Sequence, residues 1–130
     1  MNDIKSKIKT AFDESDGILV CAGAGMSADS GVLTFRNGDG FWLPSGPLGK
    51  LNMTFEQMSN IDLFVKDPEL AWGILGFKTN MFRAATPSQA FHDIQKLAAT
   101  KSHGSFVVTS NVDNMFQRAG FDEKQIWSVS

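Results

Sequence analysis

Cysteine is nearly missing from this chain. Cys21 is the only one in 130 residues, so no intrachain disulfide can form and no zinc tetrad of thiolates can assemble within the chain. A lone thiol in an apolar run reads as a small hydrophobe of a strand. Positive charge is also in short supply. Twelve Lys and Arg face fourteen Asp and Glu, giving a net charge of -2, and no Lys/Arg cluster stands out. That balance lacks the electrostatic footprint of a protein that binds nucleic acid or an anionic membrane surface. Long apolar runs are absent too. No segment approaches the roughly 20 residues needed to span a bilayer, and the opening MNDIKSKIK has no signal-type stretch. A reducing cytoplasm is the expected location.

What is present suits a globular fold: 42% hydrophobic and 20% charged residues over 130 positions, within the range of one domain with its own core. Ile4, Ile8, Ala11 and Phe12 recur at helical spacing, predicting an amphipathic helix over 3–14 capped by Asn2 or Asp3. Residues 18–22, ILVCA, read as a strand buried on both faces of a parallel sheet. From Asn37 to Ser59 glycine and proline punctuate a long loop with one helical turn near Thr54. Asp67-Pro68 starts a helix running to about Arg83, and Thr86 to Gln89 has the spacing of a capping box ahead of Phe91, Ile94 and Leu97. Strands are expected at 105–109 and 126–129, with a short helix over 114–119 between them. Alternating strands and helices define an α/β fold, a partial Rossmann-like three-layer sandwich with parallel strands and a long loop and helical insertion at about 37–85.

Two stretches invite chemistry. The first, CAGAGMSADSG at 21–31, leaves a strand through residues that bury almost nothing. Gly23 permits a tight turn, Gly25 lets a diphosphate approach the main chain, and Ser27 and Ser30 carry hydroxyl donors. Ala28 stands where a third glycine is usual, and no acidic residue on a second strand offers itself to a ribose, so an orthodox dehydrogenase is disfavoured. Without Gly-Lys-Ser/Thr the chain is no P-loop enzyme. The second stretch, Thr109-Ser110-Asn111-Val112-Asp113, ends a strand at the sheet edge where open α/β folds bind ligands. Asn111 and Asp113 suit either a ribose or carboxamide ligand or the capping of the helix that follows, and capping does not exclude binding. His92 and His103 read as packed or solvated surface histidines, Trp42 and Trp72 as packing residues.

GAGMSADSGVLTFR at 23–36, GFW at 40–42 and TSNVDNMFQRAG at 109–120 together resemble the sirtuins, the NAD-dependent protein deacylases, in a bacterial branch and along nearly the whole chain. The resemblance implies that Gly23, Ala24, Gly25 and Ser27 cradle the NAD phosphates and that Phe35 and Arg36 lie on a mobile cofactor loop. It further implies that Asn111, following Thr109 and Ser110, supports the nicotinamide ribose and its water while Asp113 holds the carboxamide. In that family the nicotinamide bond breaks, an acyl oxygen attacks the anomeric carbon, and a histidine acts as general base.

The departures are specific. Val32, Leu33 and Thr34 replace an Ile-Pro-Asp, Ser110 replaces a glutamine, and Phe116 replaces a histidine. Aligning 126–129 with the strand that carries the family's Val-His-Gly puts Ser130 where the basic histidine belongs. The expectation is therefore the amino-terminal portion of a sirtuin-like deacylase. It would keep part of an NAD or ADP-ribose site, use no metal of its own and be inactive alone for want of the histidine, the zinc ribbon and the cleft for an acylated protein. A half-built parallel sheet leads us to expect self-association. The alternatives are a non-catalytic nucleotide- or partner-binding module, or a fragment of a sirtuin-like NAD hydrolase.

Overall fold

A computed structural model describes residues 2–32, 46 and 48–129. Phe35, Arg36, Phe41, Trp42 and Ser130 lie outside the described residues. The chain divides into two compact units, residues 1–23 with 89–130, and residues 24–88.

The first unit holds the sheet. Strands β1 (Ile18–Ala22), β2 (Ser105–Thr109) and β3 (Ile126–Ser128) run parallel in the order β1-β2-β3, as the α/β pattern predicts. Ile18 pairs with Ser105 and Ala22 with Thr109, so the two strands end level. Val107 to Thr109 pair with Ile126 to Ser128, and Val129 N–H donates to the Thr109 carbonyl at 2.9 Å. Gly104, at φ +62, turns the chain so that its carbonyl accepts from Ile18 N–H at 3.0 Å. His103 lies exposed in that turn and His92 is half-buried on its helix.

One sheet face is covered and the other is not. Val107 is fully buried and Ser105 and Thr109 nearly so, while Leu19, Cys21, Phe106 and Trp127 on the opposite face are exposed. The expectation that β1 is buried on both faces is thus not met: Leu19 and Cys21 are exposed. The sandwich is partial.

Helix α1 (Asn2–Glu14) forms as the spacing predicts, but Ile4, Ile8 and Phe12 stay exposed. The expected caps Asn2 and Asp3 are already helical positions. Exposed ion pairs spaced i,i+4 support it, Asp3–Lys7 at 2.8 Å and Lys9–Asp13. Its C-terminal end is tied down where Lys101 Nζ donates to the Phe12 carbonyl.

An aromatic core fixes the rest. Helices α6 (Gln89–Ala98) and α7 (Met115–Arg118) contribute Phe91 and Phe116, whose rings meet edge-on at 4.9 Å. Gly120, at φ +94, ends α7 in a left-handed turn, with Phe121 N–H donating to the Phe116 carbonyl at 3.1 Å. That turn lays Phe121 against Phe116 at 5.2 Å.

The second unit contains α2 (Ala24–Ala28), a 3-10 turn (Gly49–Leu51), α3 (Phe55–Met58), α4 (Asp62–Lys66) and α5 (Pro68–Ala84). Leu48, Met58 and Ile74 form its buried centre. The Asp67 carboxylate accepts from Leu70 N–H at 3.0 Å, capping α5 with Pro68 in its first turn as predicted. Thr54 caps α3 through a reciprocal box with Gln57. Separately, the Glu56 carboxylate accepts from its own backbone N–H and from the Thr54 hydroxyl, which holds the carboxyl below its ordinary value. The box expected at Thr86 to Gln89 does not form. Gln89 is itself the first residue of α6, and its amide donates to Asp93 at 2.8 Å instead. Helix α4 has no counterpart in the sequence reading.

Candidate functional site

Parallel pairing carries the two motifs to one edge. Because Ala22 and Thr109 are register partners, β1 and β2 release their chains side by side, at Gly23 and Ser110. Ser110 N–H donates to the Ala22 carbonyl at 3.3 Å, carrying the ladder past the strand ends. One step further the Asn111 side-chain amide donates to the Gly23 carbonyl at 3.0 Å. Residues 88 positions apart in sequence are thereby joined by one side chain.

The turn after β2 is built from its own side chains. Thr109 Oγ1, buried, accepts from Asn111 N–H at 3.1 Å and sets the backbone at Asn111. Asp113 is 7% exposed and its Oδ1 accepts from Met115 N–H at 3.0 Å. The capping role open to Asp113 is real, and it leaves the carboxylate further acceptor capacity. Asn114 between them adopts a left-handed conformation at φ 57. It was not among the sequence candidates; the signal was an asparagine inside a turn, the non-glycine residue type that tolerates this region best.

The glycine stretch leaves open space. Gly23, Ala24 and Gly25 are exposed. An added Cβ at Gly25 would meet nothing within 4 Å, and one at Gly23 would stand at ordinary contact, 3.8 Å, from Ser110 Oγ. Neither glycine has positive φ. Among the described residues, packing and backbone conformation therefore do not demand glycine at 25. Small residues with exposed backbone are compatible with a diphosphate bound through main-chain N–H groups.

The hydroxyls behave differently. Ser27 is fully buried inside α2, its carbonyl accepting from Ser30 N–H at 3.0 Å and Val32 N–H at 3.3 Å. Ser30 Oγ accepts from Ser88 N–H at 2.9 Å. Both serines shape the turn that follows the glycines. Among the described residues no group of three or more His, Cys, Asp or Glu side chains could hold a metal ion.

A parallel sheet whose adjacent strands end in an open glycine turn and an Asn/Asp turn defines an α/β protein of the Rossmann-like, nucleotide-binding kind. The profile of the Sir2 family matches residues 23–128, and the chain belongs to that family. Curated relatives include NAD-dependent protein deacylase 1 of Archaeoglobus fulgidus, 33% identical over 117 residues, which are 88% of this chain and 43% of the relative. The NAD-dependent protein deacylase of Aquifex aeolicus is 32% identical over 107 residues, 82% of this chain and 41% of its own. Among solved structures, a Sir2 homologue in complex with NAD superposes at a TM-score of 0.71 with 29% identity, over 95% of this chain and 44% of the other. An ADP-ribose complex of a Sir2 homologue variant gives 0.74 and 28% over 95% and 45%. The chain spans less than half the length of these relatives.

Proposed function

We propose that this chain is the NAD-binding portion of a Sir2-type protein deacylase, with residues 1–130 belonging to one such domain into which a long loop and helical segment are inserted. Asn111, with its amide on the Gly23 carbonyl at 3.0 Å, is the observation that carries the reading. It ties the turn after β2 to the residue that opens the glycine turn after β1. Support also comes from relatives named as NAD-dependent deacylases at 33% and 32% identity.

NAD, when bound, supplies a glycosidic bond whose cleavage releases nicotinamide and makes ADP-ribose the acceptor of an acyl group from lysine. Toward it, Gly23, Ala24 and Gly25 offer main-chain N–H groups to the diphosphate, while Ser27 holds the turn from within. Phe35 and Arg36 are assigned to the cofactor loop. Thr109 and Ser110 set the strand exit, Asn111 orients the nicotinamide ribose and its water, and Asp113 accepts from the carboxamide N–H. Acylated protein is the proposed substrate of the whole enzyme and the cytoplasm its proposed location. The 130-residue chain by itself is proposed to self-associate through its uncovered sheet and not to catalyse.

Calorimetric titration with ADP-ribose tests the site: binding heat from the native chain that disappears in Gly25→Val is the expected result. Absence of heat from the native chain at millimolar ligand would remove the proposal. Incubation with NAD and an acetyl-lysine peptide is expected to release no nicotinamide above background. Release without peptide would favour the NAD-hydrolase alternative.

A further inference from the structure

Helix α4 of the second unit turns apolar and charged side chains to solvent in a definite order. Leu63 packs against the buried centre of that unit and so fixes the inward side of the helix. Asp62 and Phe64, one residue to either side, fall about 100° to the left and right of it, and Ile61 and Val65, two residues away, about 200° round, on the outer face. Ile61 belongs to the same spiral, its backbone being helical at φ -58, ψ -30. Ile61 is 74% exposed and Val65 84%. One flank of this stripe holds Phe64, whose ring meets that of Trp72 edge-on at 5.2 Å, and Trp72 is itself 63% exposed. The other flank holds Asp62 and, one turn later, Lys66, both exposed. An apolar patch rimmed by polar residues marks an interaction surface.

We propose that this face is a contact between two copies of the chain, the α4 helices lying antiparallel about a twofold axis with Ile61 and Val65 of each against those of the other. Charge order selects the occupant. When a twofold axis runs across two facing helices, the helices are antiparallel and each flank meets the same flank of the other copy in reversed order. Asp62 opens α4 and Lys66 closes it, so the reversal brings Asp62 of one copy to Lys66 of the other, twice over. A flank with one sign at both ends would repel itself under the same operation. The apolar flank sets Phe64 and Trp72 beside their own copies, and aromatic residues are enriched in interface cores. The surface is thus complementary to itself in both its apolar and its charged parts. It is separate from the sheet face, and the NAD assignment does not enter it.

Sedimentation equilibrium of the 130-residue chain in low salt tests the contact. The native chain is expected to associate with a Kd of about 10–100 µM, as suits a small interface. Asp62→Lys and Lys66→Asp each set like charges opposite one another twice, and each should weaken association about tenfold or more. The double reversal Asp62→Lys, Lys66→Asp should restore it to within about threefold of native, because opposite charges face each other again. An equal mixture of the two single variants should associate at least as strongly as the native chain. Val65→Ser, which removes apolar contact and leaves every charge in place, should weaken association about tenfold. All these side chains are exposed, so melting temperatures should stay at the native value, and the rescue by double reversal separates lost contact from lost folding. A native chain that is monomeric at about 300 µM, a double reversal as weak as the single ones, a mixture that stays monomeric, or equal association in every variant overturns the proposal. Association through the sheet is blind to these charges, and no readout involves NAD, so failure of the cofactor assignment leaves them unchanged.

Discussion

Gly25 sits inside the short helix α2 with nothing within 4 Å of the Cβ it lacks and no positive φ. Alanine there should improve helix propensity and reduce the entropy of the unfolded chain, together on the order of 0.5–1 kcal/mol. If the vacancy serves a diphosphate, the same methyl group blocks it. Gly25→Ala is therefore expected to melt at a higher temperature and to bind ADP-ribose more weakly, two effects of opposite sign that a merely structural glycine would not give. Thermal melts beside calorimetry decide it. Phe116 offers the converse case. It is 1% exposed and packs edge-on against both Phe91 and Phe121. Phe116→His should cost about 2–4 kcal/mol through lost aromatic burial and a polar ring without an assured partner. Burial favours the neutral imidazole, so its folded pKa falls below about 6.5. The stability left to the variant is then present above that value and declines as pH falls through it, because the unfolded state binds the proton more readily. Urea denaturation at pH 8 and pH 5 should show the larger deficit at pH 5, and a pH-independent deficit would mean that the ring is solvated.

Helix α5 runs from Pro68 to Ala84 through Gly73 and Gly76, and an added Cβ at either would meet nothing within 4 Å. A glycine in a helix interior costs about 0.5–1 kcal/mol relative to alanine. Gly73→Ala and Gly76→Ala should each raise stability by that amount, nearly additively, as denaturant midpoints would report. A loss instead would mean that something approaches the helix backbone closely. The same helix marks what the sequence could disclose. Its cap, Asp67-Pro68, is local chemistry and was legible, as were α1 and all three strands, whose apolar runs and flanking turns lie within a few residues. The capping box at Thr86 to Gln89 was misread because the spacing is shared by many stretches. What decides is whether the glutamine turns back to the cap or forward to Asp93, and here it turns forward. Helix α4 was missed because Asp62 to Lys66 is too short for a periodic signal; its start depends on Asn60 Oδ1 accepting from Asp62 N–H at 2.8 Å. At the site, Asn111 and Asp113 could be named from their place after a strand. That Asn111 reaches the Gly23 carbonyl, and that Ser27 is buried, could not, since both follow from strand register and tertiary packing.

Leu19 and Phe106 on the sheet and Ile4 and Ile8 on α1 are exposed, although an apolar sequence pattern places such side chains inside. Amphipathic periodicity tells which side of an element will be buried, and it cannot tell whether the covering partner is among the same 130 residues. That is why Leu19 was expected to be buried. Surface already exposed in the native state contributes nothing to the heat capacity of unfolding, which scales with apolar surface newly hydrated. A closed chain of this length should give about 1.6–2.0 kcal/mol/K. Calorimetry at concentrations where sedimentation shows a monomer is expected to fall below that range. In a complex that buries Leu19, Phe106 and Trp127, the unfolding heat capacity per residue should rise toward the ordinary value. A monomer that already reaches it would mean that these side chains are covered in solution.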